Sequence, residues 1–133
     1  MRLSLPIVLV LAGCTPAVHH REVARPVPLD GDPYACAVRE VERMGYRVDP
    51  VNAPTQLTAT RARPQADGAR YATYDYLAVD VLGTGTARVL RVGAVTLAGG
   101  NDGVHPHFRP PVARTEADRD AVLDACAGRP ATS

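Results

Sequence analysis

Residues 71–97 read YATYDYLAVDVLGTGTARVLRVGAVTL, and this stretch decides the fold. Apolar residues alternate with polar or small ones along its first half: Leu77, Val79 and Val81. Such alternation is typical of a strand with one buried face. The turn residues at 83–85 separate this strand, 71–82, from a second one at 87–97. The stretch therefore predicts a β-hairpin within an antiparallel sheet.

The length of the hairpin loop decides which side chains face each other, because a slip of one residue moves a strand's side chains to the opposite face. A loop over 83–86 pairs Leu77 with Val92 and leaves one face mainly apolar, which favours it. A loop one residue shorter would set Leu77 opposite Arg91. The favoured register sends three polar side chains to the other face: Tyr76, Asp80 and Arg91.

A helix is predicted upstream of the hairpin. Asp32 is the expected N-cap, Pro33 the first helical residue and Gly45 the residue that ends the helix. One side of its helical projection is apolar: Tyr34, Ala37, Val38, Val41 and Met44. Such a stripe is typical of a helix packed on a sheet or on another helix.

The remaining segments complete the order of elements. Between the helix and the hairpin the sequence predicts a short strand at 46–48, a turn at 49–55 and a half-buried strand at 56–63. Residues 98–113 read as a long loop, rich in Gly and then in Pro. A second helix is expected from Thr115 to Gly128, with Asp118 in the capping-box position.

Together these elements predict an α+β fold of the order α-β-β-β-α. We expect a two-layer sandwich, in which an antiparallel sheet of three or four strands carries the N-terminal and the C-terminal helix on one face. The alternating strands indicate one covered and one solvated face. The expected domain covers residues 30–128 and is followed by a disordered tail at 129–133.

Residues 11–14 read LAGC and follow Arg2 and a mostly apolar run at 3–11. The motif resembles a bacterial lipobox, the site where a lipoprotein precursor receives a diacylglycerol on cysteine and is cut before it. The resemblance implies that residues 1–13 are a signal peptide and that Cys14 is lipidated. The apolar run is too short to cross a bilayer as a helix. The alternative is a buried N-terminal strand followed by an ordinary cysteine.

The resemblance also implies a location. A lipid on Cys14 would hold the protein at the cell envelope, and Thr15 at the following position favours the outer membrane, facing the periplasm, over the inner one. Residues 14–29 then form the lipidated cysteine and a Pro-rich tether, which spans roughly 45 Å when extended. At the level of fold, the expected domain looks like the small accessory lipoproteins of lipopolysaccharide transport and outer-membrane barrel assembly.

Two further cysteines, Cys36 and Cys126, remain for the domain. A single remaining pair in an exported protein predicts a disulfide, with two free thiols or a partial metal site as the alternatives. The bridge would close a loop of about 90 residues and stabilise the fold by roughly 4 to 5 kcal/mol as an upper figure.

The charge balance argues against nucleic acid as a partner. The 133-residue chain has a net charge of +1, and removal of Arg2 with the signal peptide brings this to about zero. All 15 cationic residues are arginine. We draw no function from this preference.

His105 and His107 are weak candidates for a metal site. Two histidines separated by one residue can share an ion on a strand, but a stable zinc site needs three or four ligands. A solvated or turn-stabilising role is the alternative. Catalysis by a serine triad is excluded, because the only serines are Ser4 and Ser133. We therefore expect no enzyme, no cofactor and no resident metal.

Tyr74, Tyr76 and Arg91 form the most promising surface. In the favoured register they lie on the face that the helices leave open, where aromatic rings beside a guanidinium group suit a protein or a glycan. Cross-strand contacts on a wet face are the alternative explanation. The sequence thus predicts a non-catalytic structural or interaction module of the envelope, with a small-molecule- or metal-binding periplasmic lipoprotein as the alternative.

Overall fold

A computed structural model describes residues 21–65, 67–68, 71–99 and 107–128, which form an α+β fold with two helices and one open antiparallel sheet of six strands. Its elements follow in chain order: β1 (Arg21–Pro26), α1 (Pro33–Arg43), β2 (Arg47–Asn52), β3 (Gln56–Ala62), β4 (Thr73–Leu82), β5 (Val89–Ala98), β6 (His107–Arg109) and α2 (Ala113–Cys126). The sheet thus has more strands than the three or four expected, because β1 and β6 add to it.

The strands lie in the order β1-β5-β4-β3-β2, and β6 also pairs with β5. The predicted hairpin is present, but its register differs from the prediction by two residues: Val79 lies opposite Val92, and Leu77 lies opposite Ala94. Ala78 lies opposite Gly93. An offset of two residues preserves the face of every side chain, since side chains alternate with a period of two. The expected division into two faces therefore survives the error.

The connection in the hairpin is longer than predicted, because it covers residues 83–88. Gly83 has a φ of +81°, and a Cβ atom there would lie 2.2 Å from the carbonyl oxygen of Ala87. Arg88 leaves the strand pair, and its Nη2 donates to the carbonyl of Gly31 at 2.9 Å. The loop is thus fixed by its own backbone geometry and by a contact to the segment that precedes α1.

The expected tether at 14–29 is partly wrong. Residues 21–26 form the edge strand β1, which pairs with β5 from Arg21–Ala94 to Pro26–Val89, and Val27 is buried. The three prolines of the segment indicated a tether and not a strand, but an edge strand tolerates proline at its end. The signal peptide, Cys14 and the remainder of the tether lie outside the described residues, as does the tail at 129–133.

The predicted loop at 98–113 also contains a strand, since His107–Arg109 pairs with residues 96–98 of β5. The second helix begins at Ala113 and not at Thr115, and no side chain caps its first turn. Likewise, the turn expected at 49–55 is shorter, because β2 extends to Asn52. Each of these differences adds backbone to the sheet or to a helix next to it.

The predicted ends of α1 are confirmed. The Asp32 side chain accepts from the backbone N–H of Ala35 at 3.1 Å, and Pro33 opens the helix. Gly45, with a φ of +88°, follows the C-cap Met44. The predicted disulfide is also present, with Cα atoms of Cys36 and Cys126 5.5 Å apart, so it joins α1 to α2.

One buried core unites both helices with the sheet. Its fully buried members come from α1, α2 and the central strands: Ala37, Val41, Val122, Leu123, Leu57, Ala59, Leu77, Val79, Leu90, Val92 and Ala94. At roughly 25 cal/mol per Å² of apolar area removed from water, such burial is the main driving force for folding.

Candidate interaction face and buried ionic cluster

A cluster of charged residues lies under the start of α2. Asp75 on β4 is 1% exposed and accepts hydrogen bonds on both carboxylate oxygens. Oδ2 accepts from Nε and Nη2 of Arg61, at 3.1 and 2.7 Å. Oδ1 accepts from Nε of Arg63 at 2.6 Å and from the hydroxyl of Thr115 at 3.0 Å. The buried carboxylate is therefore saturated, as a buried charge must be.

Arg61 extends this cluster to both helices. Its Nη1 donates to the carbonyl of Met44 at 2.8 Å, and its Nη2 donates to Asp118 on α2 at 2.6 Å. The guanidinium carbon lies 4.3 Å from the centre of the Tyr46 ring, whose hydroxyl also donates to Asp118 at 2.8 Å. One side chain from β3 thus joins the end of α1, the start of α2 and the sheet.

The pKa values of the cluster follow from these contacts. Burial alone would raise the pKa of Asp75, but the hydrogen bonds from Arg61, Arg63 and Thr115 outweigh burial and lower it. Burial, and then the hydrogen bond to Asp118, raises the pKa of the Tyr46 hydroxyl. A carboxylate with both oxygens occupied is poorly suited to act as a base or a nucleophile. The cluster, called the ionic anchor below, is therefore interpreted as a structural element.

The amino-acid pattern does carry a signal for the ionic anchor, although no such cluster was predicted from it. Asp75 shares its parity with Leu77 and Val79, so the alternation that predicts a buried face also places a carboxylate on it. Arg61 has the parity of Leu57 and Ala59 on β3 in the same way. The predicted capping role of Asp118 is wrong, because its side chain binds Arg61 and Tyr46.

The opposite side of the sheet carries the predicted surface residues. Tyr74 and Tyr76 point away from the core, lie opposite Leu97 and Val95 of β5, and are half-buried. The ring of Tyr76 makes an edge contact with Phe108 of β6, with centroids 5.9 Å apart. This side, the open face, is thus partly covered at one edge by β6.

On the open face, Arg91 lies apart from Tyr74 and Tyr76. Arg91 lies directly opposite Asp80 and binds it at 3.0 Å, with Glu22 at 3.8 Å. Arg91 lies opposite Asp80, which is four residues along β4 from Tyr76, a distance of about 14 Å. The predicted trio therefore shares one face, but Arg91 is held in its own ion pair.

A shallow pocket of about 440 Å³ lies beside Tyr76 on the open face. Its lining is mostly polar: Arg47, Val48, Asp49, Thr58, Thr60 and Tyr76. Burial raises the pKa of Tyr76 and the carboxylates of Asp49 and Asp80 add to the rise, whereas its hydrogen bond with Thr58 opposes it. Sequence reasoning missed this pocket, because it depends on the pairing of β2 with β3.

Only one of the two metal candidates lies in the part of the chain that the structure describes. His107 lies on β6 and is exposed, and His105 lies outside the described residues. Among the described residues, no three His, Cys, Asp or Glu side chains converge as metal ligands would.

Comparison with models of known protein families and with curated proteins finds no match to this chain. Neither described helix combines the length and the apolar composition that crossing a bilayer requires.

Proposed function

We propose that this protein is a lipid-anchored component of a bacterial cell envelope whose domain acts as a non-catalytic interaction module. The resemblance of residues 11–14 to a lipobox supports the anchor on Cys14. The disulfide between Cys36 and Cys126 supports export, because disulfides persist in oxidising compartments and are rare in the cytosol. Thr15 favours the outer membrane, facing the periplasm.

The interaction role rests on an inference from the shared core: both helices cover the apolar side of the sheet and leave the second side, the open face, without a helix. We infer a two-layer sandwich with both helices on one layer, which accounts for the single core they share. Half-buried aromatic side chains on the open face, Tyr74 and Tyr76, have the amphipathic character of residues enriched in interfaces. Another envelope protein or a glycan is the proposed partner.

The non-catalytic part of the proposal rests on the ionic anchor. Its buried carboxylate, Asp75, has hydrogen-bond donors on both oxygens. Its arginines are likewise engaged by Asp75, Asp118, Met44 and Thr96. Such a closed arrangement stabilises a fold and leaves little capacity to bind a substrate.

The proposed lipid anchor on Cys14 is tested by metabolic labelling with a fatty-acid probe, followed by membrane fractionation. We expect the wild-type chain to incorporate the probe and to sediment with membranes, while Cys14→Ser loses both properties. A wild-type product that keeps Met1 and carries no fatty acid would contradict the anchor.

The open face is tested by affinity capture from solubilised envelopes. We expect Tyr74→Ala with Tyr76→Ala to lose a partner that the wild type and Glu42→Ala retain, since Glu42 is exposed on α1 away from this face. Circular dichroism must first show that the variants remain folded. Unchanged recovery of the partner would remove the open face from the proposal.

A second candidate, a periplasmic lipoprotein that binds a small molecule, is favoured by the pocket beside Tyr76. Its volume lies within the range of small-molecule sites, and its Thr hydroxyls and Arg47–Asp49 charges suit a neutral polar ligand such as a saccharide. We expect simple mono- and disaccharides to raise the melting temperature of the wild type and of Tyr74→Ala, but not of Thr58→Val. An unchanged melting temperature for the wild type would reject this candidate.

A further inference from the structure

The position of the first described residue limits how far the domain can lie from a membrane. Arg21 begins β1 and lies opposite Ala94. Its carbonyl accepts from Nη1 of Arg119 at 3.0 Å, and its side chain pairs with Glu116 at 3.2 Å. The chain therefore enters the domain at a fixed point, next to the first half of α2.

The distance from this point to the proposed lipid is short. The polypeptide from Cys14 to Arg21 spans at most about 25 Å when it is fully extended. This is little more than half of the roughly 45 Å that a free tether over 15–29 would allow. If Cys14 carries the lipid, Arg21 must lie within about 25 Å of the bilayer surface.

The strand registers identify what else lies at this end. Arg109 of β6 pairs with Thr96, only two positions along β5 from the partner of Arg21. The start of β4 lies opposite the end of β5, with Thr73 paired to Ala98. The start of α2 is held over the same region by the bond from Thr115 to Asp75. We call this part of the molecule the β6 end.

The β6 end exposes large apolar side chains beside arginines. Tyr71, Phe108 and Val112 are 43%, 44% and 41% exposed. Arg109 and Arg114 are exposed, and within the described chain neither takes part in an ion pair. Aromatic rings and arginines are typical of the water–lipid interface, where an apolar part meets the acyl region and a charge meets anionic headgroups.

The opposite end has a different charge. There the segment before α1 exposes Asp30 and Asp32, and Leu82, the last residue of β4, is 40% exposed. Apolar exposure alone therefore does not distinguish the two ends. The entry point of the chain does distinguish them, and at the opposite end the exposed Arg39 lies beside the carboxylates of Asp30 and Asp32.

We propose that the β6 end rests on the bilayer surface, with Phe108 and Val112 toward the lipid and Arg109 and Arg114 toward anionic headgroups. This orientation rests on the proposed lipidation of Cys14. It leaves the end that carries Asp30, Asp32 and Leu82 directed away from the membrane.

Single tryptophans test the orientation, because the chain contains none. The probes are Phe108→Trp and Val112→Trp at the β6 end, and Leu82→Trp is the matched control. Each is made in the full precursor, purified with its fatty acid, and reconstituted in phosphatidylethanolamine–phosphatidylglycerol vesicles that carry a nitroxide on the headgroup. We expect Phe108→Trp and Val112→Trp to lose most of their emission while Leu82→Trp keeps nearly all of it.

Charge reversal separates headgroup contact from simple proximity. In Val112→Trp, the added changes Arg109→Glu and Arg114→Glu are expected to reduce quenching on vesicles that contain phosphatidylglycerol. Unchanged quenching would overturn the proposed headgroup contact.

The result that overturns the orientation is distinct from failure of the anchor. If mass spectrometry finds the fatty acid on Cys14 and the three probes are quenched equally, or Phe108→Trp and Val112→Trp are not quenched, the orientation is wrong. The β6 end would then be available to a protein. If no fatty acid is found, the proposed lipid anchor itself has failed, and the orientation falls with it.

Discussion

Strand β4 carries two carboxylates, Asp75 and Asp80, that point to opposite sides of the same sheet. Asp75 lies on the core side, with a side chain that is 2% exposed and donors from Arg61, Arg63 and Thr115. Asp80 lies on the open face, with a side chain that is 16% exposed and bonds from Arg91 and Gln56. Both pairs are Asp–Arg contacts of similar length, so their different surroundings decide what each contributes.

The comparison shows how burial changes the role of an ion pair. Removing a carboxylate from water is costly, and the cost is offset only when every oxygen finds a donor. Asp75 meets this condition through Arg61 on β3, Arg63 directly after β3 and Thr115 on α2, so it fixes the second helix relative to the sheet. Arg91 is 37% exposed in its side chain, and water and salt can replace Asp80 as its partner.

The largest effect is expected from Asp75→Ala. This change leaves the half-buried Arg63 without its carboxylate and Arg61 with Asp118 alone, and we expect the free energy of unfolding to fall by about 3 to 5 kcal/mol. Urea denaturation followed by circular dichroism measures it. Thr115→Val is the matched control, because it removes one hydrogen bond and should cost about 1.5 kcal/mol. A loss for Asp75→Ala no greater than that of Thr115→Val would contradict the anchoring role.

A somewhat smaller loss of stability is expected when the disulfide between α1 and α2 is removed. Cys36→Ser with Cys126→Ser should lower the free energy of unfolding by about 2 to 4 kcal/mol, since the unfolded chain regains the freedom of a long loop. Denaturation of the wild type with and without a reductant provides the comparison. Equal stability in all three samples would show that the contacts of α1 and α2 with the core hold the helices unaided.

The buried carboxylate of Asp75 should also make the stability of the fold depend on pH. The pKa of Asp75 is lowered in the folded state, so its stabilisation is complete above the pKa of the unfolded chain, about 4, and is lost as the pH falls through the lower folded pKa. We expect Asp75→Asn to flatten the acid side of the curve of stability against pH. Parallel curves for the wild type and Asp75→Asn would refute the linkage.

The smallest effect is expected on the open face. Asp80→Ala should change the free energy of unfolding by less than about 1 kcal/mol, and added salt should shrink the difference further. A loss as large as that of Asp75→Ala would mean that burial does not distinguish the two sides of the sheet.

Much of the fold could be predicted because its signals are local. Alternation located β3, β4 and β5 to within a few residues, and cap residues located both ends of α1. Proteins bury the apolar side of a strand whatever its partner is, so the parity of Tyr76 and Arg91 was correct although the register was not. The disulfide followed from counting cysteines.

The candidate site could be predicted only in part. The shared face of Tyr74, Tyr76 and Arg91 followed from parity, but Asp80 as the partner of Arg91 depended on the hairpin register. The pocket beside Tyr76 depended on the pairing of β2 with β3. Neither the pairing of Asp80 with Arg91 nor the pocket is encoded within a single segment of the chain. Spacing within one segment therefore did not reveal them.

By itself, the sequence determined which residues form the central strands, which side of each strand is apolar, and where α1 begins and ends. The tertiary structure alone decided that residues 21–26 and 107–109 are strands, because only the free edge of β5 offers hydrogen-bond partners to segments with so little pattern of their own. It also decided that Asp75 is tolerable on the apolar side. The reason is physical: alternation and capping act over a few residues, whereas a sheet edge and a buried charge depend on partners that are distant in the chain.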